Sequence, residues 1–333
     1  MVVAVPSSIV FPAYHYSLMR VPMRTFLIDR EFQRKRPMAR VLTVTANPLL
    51  DFLSREALQP GRVTRSAGFT PMAAGKGINV ARVLHRHGHQ VQAAFLAGGQ
   101  TGAMLGELIA ADGIDPLLVP IAARTRVGFI CAASQERPQG ALLEGGFHVD
   151  DSEATSFAQV ISDRIDACDL LIISGSLPDP SVAGCYAQLC DRAQQSGVPC
   201  WVDSYGPGMA AALEAAAPPL LAKPNRQEYS EALAWDRCRE LHISDGGARL
   251  QVHYGDERYM VIPPSLEEVN PVGSGDCYVA GLAHARLQGW EYTRQLDYAV
   301  ACGAANAARW DVAQIDPAIV APYVAASTIE QQA

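Results

Sequence analysis

No apolar run in the 333-residue chain approaches the roughly 20 residues that a membrane-spanning helix needs. Basic residues are in the minority, 27 against 34 acidic, for a net charge of −7. That balance argues against a dedicated nucleic-acid binder, which would carry a basic face. The eight cysteines include no C-x-x-C pair, and Cys131, Cys200 and Cys302 sit in apolar runs. Buried, reduced thiols in a cytoplasmic protein fit that usage better than a disulfide framework. There is no phosphate loop of the Gly-Lys-Ser/Thr kind, because no hydroxyl residue follows Lys76. Internal repeats, low-complexity tracts and an obvious linker are also missing. His85, His87 and His89 alternate at a helix end with no Cys or carboxylate cluster beside them. A solvated terminus is expected there rather than a metal site.

What is there is a soluble globular composition, 49% apolar and 18% charged. Residues 1–40 are broken by Pro6, Pro12, Pro22 and Pro37 and rich in arginine, with no apolar core of a signal peptide. They are expected to be disordered or to reflect a misassigned start. From Val41 strands and helices alternate. Strands are expected near 41–45, 91–96, 170–173, 200–202, 220–222, 241–243, 249–253 and 259–262. Helices are expected near 77–87, 102–111, 151–167, 180–195, 209–217, 225–234, 275–287, 292–309 and 317–325. Such alternation implies a single α/β domain, 41–326, with a mostly parallel sheet covered on both faces. Two extended interruptions, 61–70 and 125–149, break the pattern and could form a small separate sheet.

In an open α/β sheet the site lies beyond the carboxyl ends of the strands, so the loops that follow strands carry the candidates. Asn47-Pro48-Leu49-Leu50-Asp51 offers a carboxylate that either accepts bonds from a polyhydroxylated ligand or solvates a turn. Gly75-Lys76-Gly77-Ile78-Asn79 enters a helix, with glycines for close approach, a cation and an amide; it could equally be a turn packing helix on sheet. Asn225 and Glu228, three apart on an expected helix, would share a face. They could serve Mg²⁺ or form a capping box. Finally Gly273-Ser274-Gly275-Asp276 opens a helix rich in small residues. Its backbone N–H groups would lack intrahelical partners and favour an anion, with the Asp276 carboxylate beside them.

Taken in order, NPLLD, GKGINVARVL, SGSLPDP, AKPNRQE and NPVGSGD resemble the pfkB carbohydrate-kinase family, and most closely its 1-phosphofructokinase and tagatose-6-phosphate kinase branch. The resemblance runs from about Arg40 to Pro322. It implies a ribokinase-like three-layer sandwich with a small β lid, which accounts for the two interruptions. It further implies an ATP- and Mg²⁺-dependent transfer to a hydroxyl of a ketohexose phosphate, fructose 1-phosphate, fructose 6-phosphate or tagatose 6-phosphate. Asp276 would be the base and Gly273, Ser274 and Gly275 the anion hole. Asp51, Gly75, Lys76 and Asn79 would hold the sugar, and Arg126, with Arg62 as a second basic residue, its phosphate. Asn225, Ser244 and Gly247 would meet the nucleotide, and Glu228 the metal. A homodimer through the lid is implied as well.

The chain departs from the family pattern at Ala74, where a glycine is usual, and at Val127-Gly128, where an asparagine is usual. It is also shortened between Glu228 and Ser244, and Asp245 stands in the nucleotide loop. These departures leave open a binding regulator that has lost most activity, or a kinase for an unphosphorylated sugar or nucleoside.

Overall fold

The computed structural model describes residues 38–58, 61–131 and 140–332. Residues 1–37 of the expected extension and 132–139 of the second lid segment lie outside these. The chain starts with β1 (Arg40–Thr45), leaves for β2 (Leu49–Ser54) and β3 (Thr70–Ala74), and returns through α1 (Lys76–Arg86) to β4 (Gln90–Ala97). Next come α2 (Gly99–Ala111), β5 (Asp115–Pro120), β6 (Arg126–Cys131) and β7 (Gly140–Leu143). An alternating stretch follows: α3 (Asp151–Ile165), β8 (Leu170–Ser174), α4 (Ala183–Gln195), β9 (Cys200–Asp203), α5 (Gly206–Glu214) and β10 (Leu221–Ala222). The last part is β11 (Glu240–Asp245), β12 (Arg249–Tyr254), β13 (Glu257–Ile262), α6 (Ser274–Leu287), α7 (Tyr292–Ala307), α8 (Pro317–Val320) and β14 (Thr328–Gln332).

Among the described residues ten strands form one sheet, in the order β14-β13-β12-β11-β10-β9-β8-β1-β4-β5. Neighbours from β11 to β5 pair parallel, while β12, β13 and β14 add an antiparallel edge. The inner parallel strands β1, β8, β9 and β10 are buried on both faces, as their apolar runs require, while β5 forms a partly exposed edge. In β1, Val41 joins a core with α1, α6 and α7, whereas Leu42 and Val44 join a core with α3, α4 and α5. This is the expected three-layer α/β sandwich. Local chemistry starts the elements: Asp150 accepts from Ser152 N and Glu153 N, Glu153 returns a bond to Asp150 N, and α3 begins there.

A second sheet, β3-β2-β6-β7, stands apart as the small lid. Its borders differ from those expected. The Asn47-Pro48 turn carries the chain directly into the lid, so Asp51 lies within a strand rather than in a loop. The first lid pieces are β2 and β3, and 61–69 connects them. Two helices also fail to form. Residues 225–234 make a turn, because Asn225 Oδ1 takes the N–H groups of Gln227 and Glu228 while Arg226 N donates to Ser244 O. The helix expected at 317–325 is only α8 and a 3₁₀ turn, since Pro322 brings no N–H to continue it.

The histidines are a further correction. His87 and His89 are buried, 7% and 3% exposed, not solvated. Ala39 N donates to His89 Nδ1, so His89 Nε2 carries the proton and donates to His284 Nδ1 at 2.9 Å. His87 donates from Nδ1 to Val83 O and accepts from the Tyr298 hydroxyl. His89 and His284 each accept at Nδ1 and so must be neutral, and His87 packs against the His284 ring. Burial lowers all three, His89 to about 4 and His284 to about 3, with neighbouring histidines adding to the effect on those two. Below pH 6.5 the unfolded chain therefore binds protons that the native state refuses, and stability falls with pH. Thermal melts should decline from pH 6.5 toward 4. His284→Gln, which accepts from His89 without titrating, should flatten that decline; an unchanged slope would contradict the network.

Candidate active site

A cleft of about 830 Å³ separates the lid from the carboxyl ends of the parallel strands. All of the expected site residues from Asp51 to Asp276 line it, and exposed Arg62 does not. Its centre is the start of α6. Gly273 sits at φ +82°, where a side chain is strained, and an added Cβ would lie 2.8 Å from Val312 Cγ1. The N–H of Ser274 is taken by Pro271 O at 3.1 Å, so it is not available to an anion. The N–H groups of Gly275 and Asp276 are those left open at the helix N-terminus. Two buried asparagines hold this turn. Asn306 donates to Val272 O and Ser274 Oγ, and Asn270 donates to Trp310 O while accepting from Val272 N.

Around it three carboxylates meet two lysines. Lys76 Nζ bonds Glu228 Oε1 at 3.0 Å and Asp203 Oδ1 at 3.3 Å, and Lys223 Nζ lies 3.9 Å from the same Asp203 oxygen. A Cβ on Gly275 would stand 3.1 Å from Lys223 Nζ, so this ammonium points at the opening of α6. Burial and the Asp203 charge raise Asp276 to about 7, against the pull of Lys76, Asn79 and Lys223. Burial alone would lower Lys76, but Asp203, Asp276 and Glu228 outweigh it and hold the ammonium charged. Lys76, expected at the sugar, thus has its charge on Asp203 and Glu228, because those carboxylates are what its burial requires.

At the lid end Asp51 is buried, and burial raises it to about 6 with Arg126 opposing. Its Oδ1 has no hydrogen-bond partner. Gly128 pairs directly with Asp51, and a Cβ there would fall 2.0 Å from that oxygen. The glycine in the family's asparagine position is therefore what makes room for the carboxylate. Arg126 donates to the carbonyls of Asn47, Pro48 and Glu144. A guanidinium has five N–H donors, so two remain for a ligand.

At the opposite end Asn225, Ser244 and Gly247 come together through the Asn225–Ser244 bridge. Asn225 and Glu228 form the capping-box pattern: Glu228 Oε2 accepts from Asn225 N, and Asn225 Oδ1 is filled by two backbone N–H groups. The amide oxygen is thus spent locally and leaves Nδ2 for a ligand. Among the described residues no three His, Cys, Asp or Glu side chains gather as a metal cage. Mg²⁺ brought by phosphates needs only one or two carboxylates. Glu228, facing the cleft, and Asp203, whose buried Oδ2 is unpartnered, fit that demand.

The family model for pfkB carbohydrate kinases matches residues 49–316. The chain belongs to the pfkB family of carbohydrate kinases. Its fold is similar to that of a possible 1-phosphofructokinase from Thermotoga maritima, at 22% identity and TM-score 0.81, covering 88% of this chain and 100% of that one. It is also similar to phosphofructokinase-2 from Escherichia coli in complex with potassium, at 24% identity, TM-score 0.75 and coverage of 86% and 98%. The same enzyme in complex with fructose-6-phosphate gives 25%, 0.72, 86% and 99%.

In this carbohydrate kinase sequence reasoning did not single out Lys223, which lines the cleft, or Asp203, which is buried behind it and behind Lys76. Lys223 stood in the quoted AKPN motif, but Asp203 ends a strand with no motif around it. Gly128→Ala should displace the Asp51 carboxylate and, because the methyl also falls within 3 Å of Leu143 Cδ2 and of buried Leu49 Cδ1, should lower stability as well. The expected result is a KM for the sugar raised about tenfold, as for a lost bond to a charged group. Steady-state kinetics with an unchanged KM would contradict it.

Proposed function

We propose that this kinase transfers the γ-phosphoryl group of ATP to a hydroxyl of a ketohexose phosphate, with Asp276 as the general base. The observation that carries this is one carboxylate, raised toward neutrality by burial, at a helix N-terminus with open N–H groups and a lysine aimed at it. A base works best when its pKa lies near the working pH. Asp51, with its unpartnered oxygen, accepts from the sugar, Asn79 and the backbone at Gly75 complete its seat, and Arg126 offers its remaining donors to the sugar's phosphate. Asp276 takes the proton of the attacking hydroxyl as its oxygen bonds to phosphorus and the bond to the ADP oxygen breaks. Negative charge on the transferring group faces the N–H groups of Gly275 and Asp276 and the Lys223 ammonium, which are fixed in advance. Glu228 and Asp203 would hold Mg²⁺ or its waters, and that ion when bound supplies neutralisation of phosphate charge. Ser244, Gly247 and the Asn225 amide line the nucleotide end.

A second reading, a sugar-phosphate-binding regulator, draws on the nucleotide end, where Asp245 and Glu268 line the cleft and would oppose a polyanion. The expected pairing through the lid is supported by its outward row, Pro71, Phe52, Phe129 and Leu142, paired in register across the four strands. Phe129 is 39% and Leu142 73% exposed. Light scattering should report a dimer that Phe129→Glu converts to monomer; a wild-type monomer would remove the lid pairing.

ADP release with Mg²⁺-ATP, measured on fructose 1-phosphate, fructose 6-phosphate, tagatose 6-phosphate and plain fructose, tests the transfer. Turnover is expected on one phosphosugar, lost about a thousandfold in Asp276→Asn. The wild-type kcat/KM should fall about tenfold per pH unit below 7, as the base is protonated. Turnover on plain fructose alone would overturn the phosphosugar reading, and none on any of the four would favour the regulator.

A further inference from the structure

The motif around Asn79 contains a charge that the transfer itself does not use. Arg82 is 1% exposed, one of the largest fully buried side chains. Its Nη1 donates to Asn79 Oδ1 at 3.0 Å, Nη2 to Ala73 O of lid strand β3 at 2.7 Å, and Nε to Asp112 Oδ2 beyond the end of α2 at 2.7 Å. On the other side of the amide, Asn79 Nδ2 donates to Asp276 Oδ2 at 2.8 Å. Arginine has donors only. The atom of Asn79 that faces it must therefore be the oxygen, and the atom that faces Asp276 must be the nitrogen.

We propose that Arg82 is a positioning residue that locks the Asn79 amide as a donor toward Asp276. The proposal rests on the reading of Asp276 as the base. A protonated Asp276 needs an acceptor for its O–H, and the locked amide offers none; an ionised Asp276 finds an N–H in place. The lock thus favours the form of the carboxylate that can accept the sugar's proton. It acts against burial and Asp203 and alongside Lys76 and Lys223, the charged groups that α1, β9 and the end of β10 bring to Asp276. Without the guanidinium the amide is free to flip once Asp276 is protonated, and the neutral acid then gains an acceptor. Because the same guanidinium holds Ala73 O, the lid strand is tied to the base through one side chain. The lock also means that Asn79 meets a sugar only with its second N–H, never as an acceptor.

The test is the pH profile of kcat/KM for wild type, Arg82→Met, Arg82→Lys and Asp276→Asn on the phosphosugar that turns over, with thermal melts alongside. Arg82→Met should move the acid limb up by about one unit, costing roughly tenfold near pH 6 and little near pH 9. Arg82→Lys keeps a buried cation but cannot reach all three partners, and its shift should be in the same direction and smaller. A loss of equal size at every pH would mean that Arg82 only supports the fold, and would overturn the lock. If Arg82→Met does not fold, Arg82→Lys decides, with an unshifted limb overturning the proposal. Undiminished turnover in Asp276→Asn would instead remove the base assignment on which the lock rests.

Discussion

Charge compensation at the closed end of the cleft is the constraint on which the site depends. Asp203, Glu228 and Asp276 cannot be buried together as anions without cations, and Lys76 and Lys223 cannot be buried as ammonium groups without carboxylates. Lys76 bonds Glu228 and Asp203, Lys223 approaches Asp203, and both ammonium groups act on Asp276 through space. The compensation is incomplete by one negative charge when all five are ionised. Burial first, and then the Asp203 charge, raise Asp276, while Asp203 Oδ2 has no hydrogen-bond partner. A site so poised can accept a proton or a divalent cation without rebuilding.

The fold holds these groups still by a second buried charge pair, behind the cleft. Arg286 of α6 makes two bonds to Glu240 of β11, and His242 and Tyr292 bond the same carboxylate. Burial would raise Glu240, but Arg286 and His242 hold it well below the ordinary carboxylate range. The pair ties α6 and α7 to β11, where the parallel and antiparallel parts of the sheet meet, and so anchors the helix whose first turn carries Asp276. Removing one partner from such a pair costs about 3–5 kcal/mol, because the other is left charged and buried. The rigid frame serves the position of one carboxylate.

Legibility in the sequence followed the range of the interaction. The glycine turn before Asp276 and the alternation of strands and helices depend on neighbouring residues, and both could be read directly. The Asn225 helix was misread because Asn and Glu at that spacing serve a capping box and a metal equally well. The backbone bridge to Ser244, 19 positions on, holds the segment as a turn instead of a helix. Asp203, Arg82 and the His87–His89–His284 group acquire their roles only from partners far along the chain, such as Arg82 with Asp112 and His89 with His284. Period and composition carry no trace of such pairings. Gly128 was visible as a departure from the family, but its reason, the space for Asp51, needed the strand register.

The central claim is that Asp276 takes a proton and never the phosphoryl group. A carboxylate at a helix N-terminus could in principle do either, and the stereochemistry at phosphorus separates them. With an ATP analogue chiral at the γ-phosphorus, direct in-line transfer to the sugar inverts configuration, and inversion is the result this account predicts. Retention would mean two successive displacements through a phosphorylated enzyme group, and would contradict it.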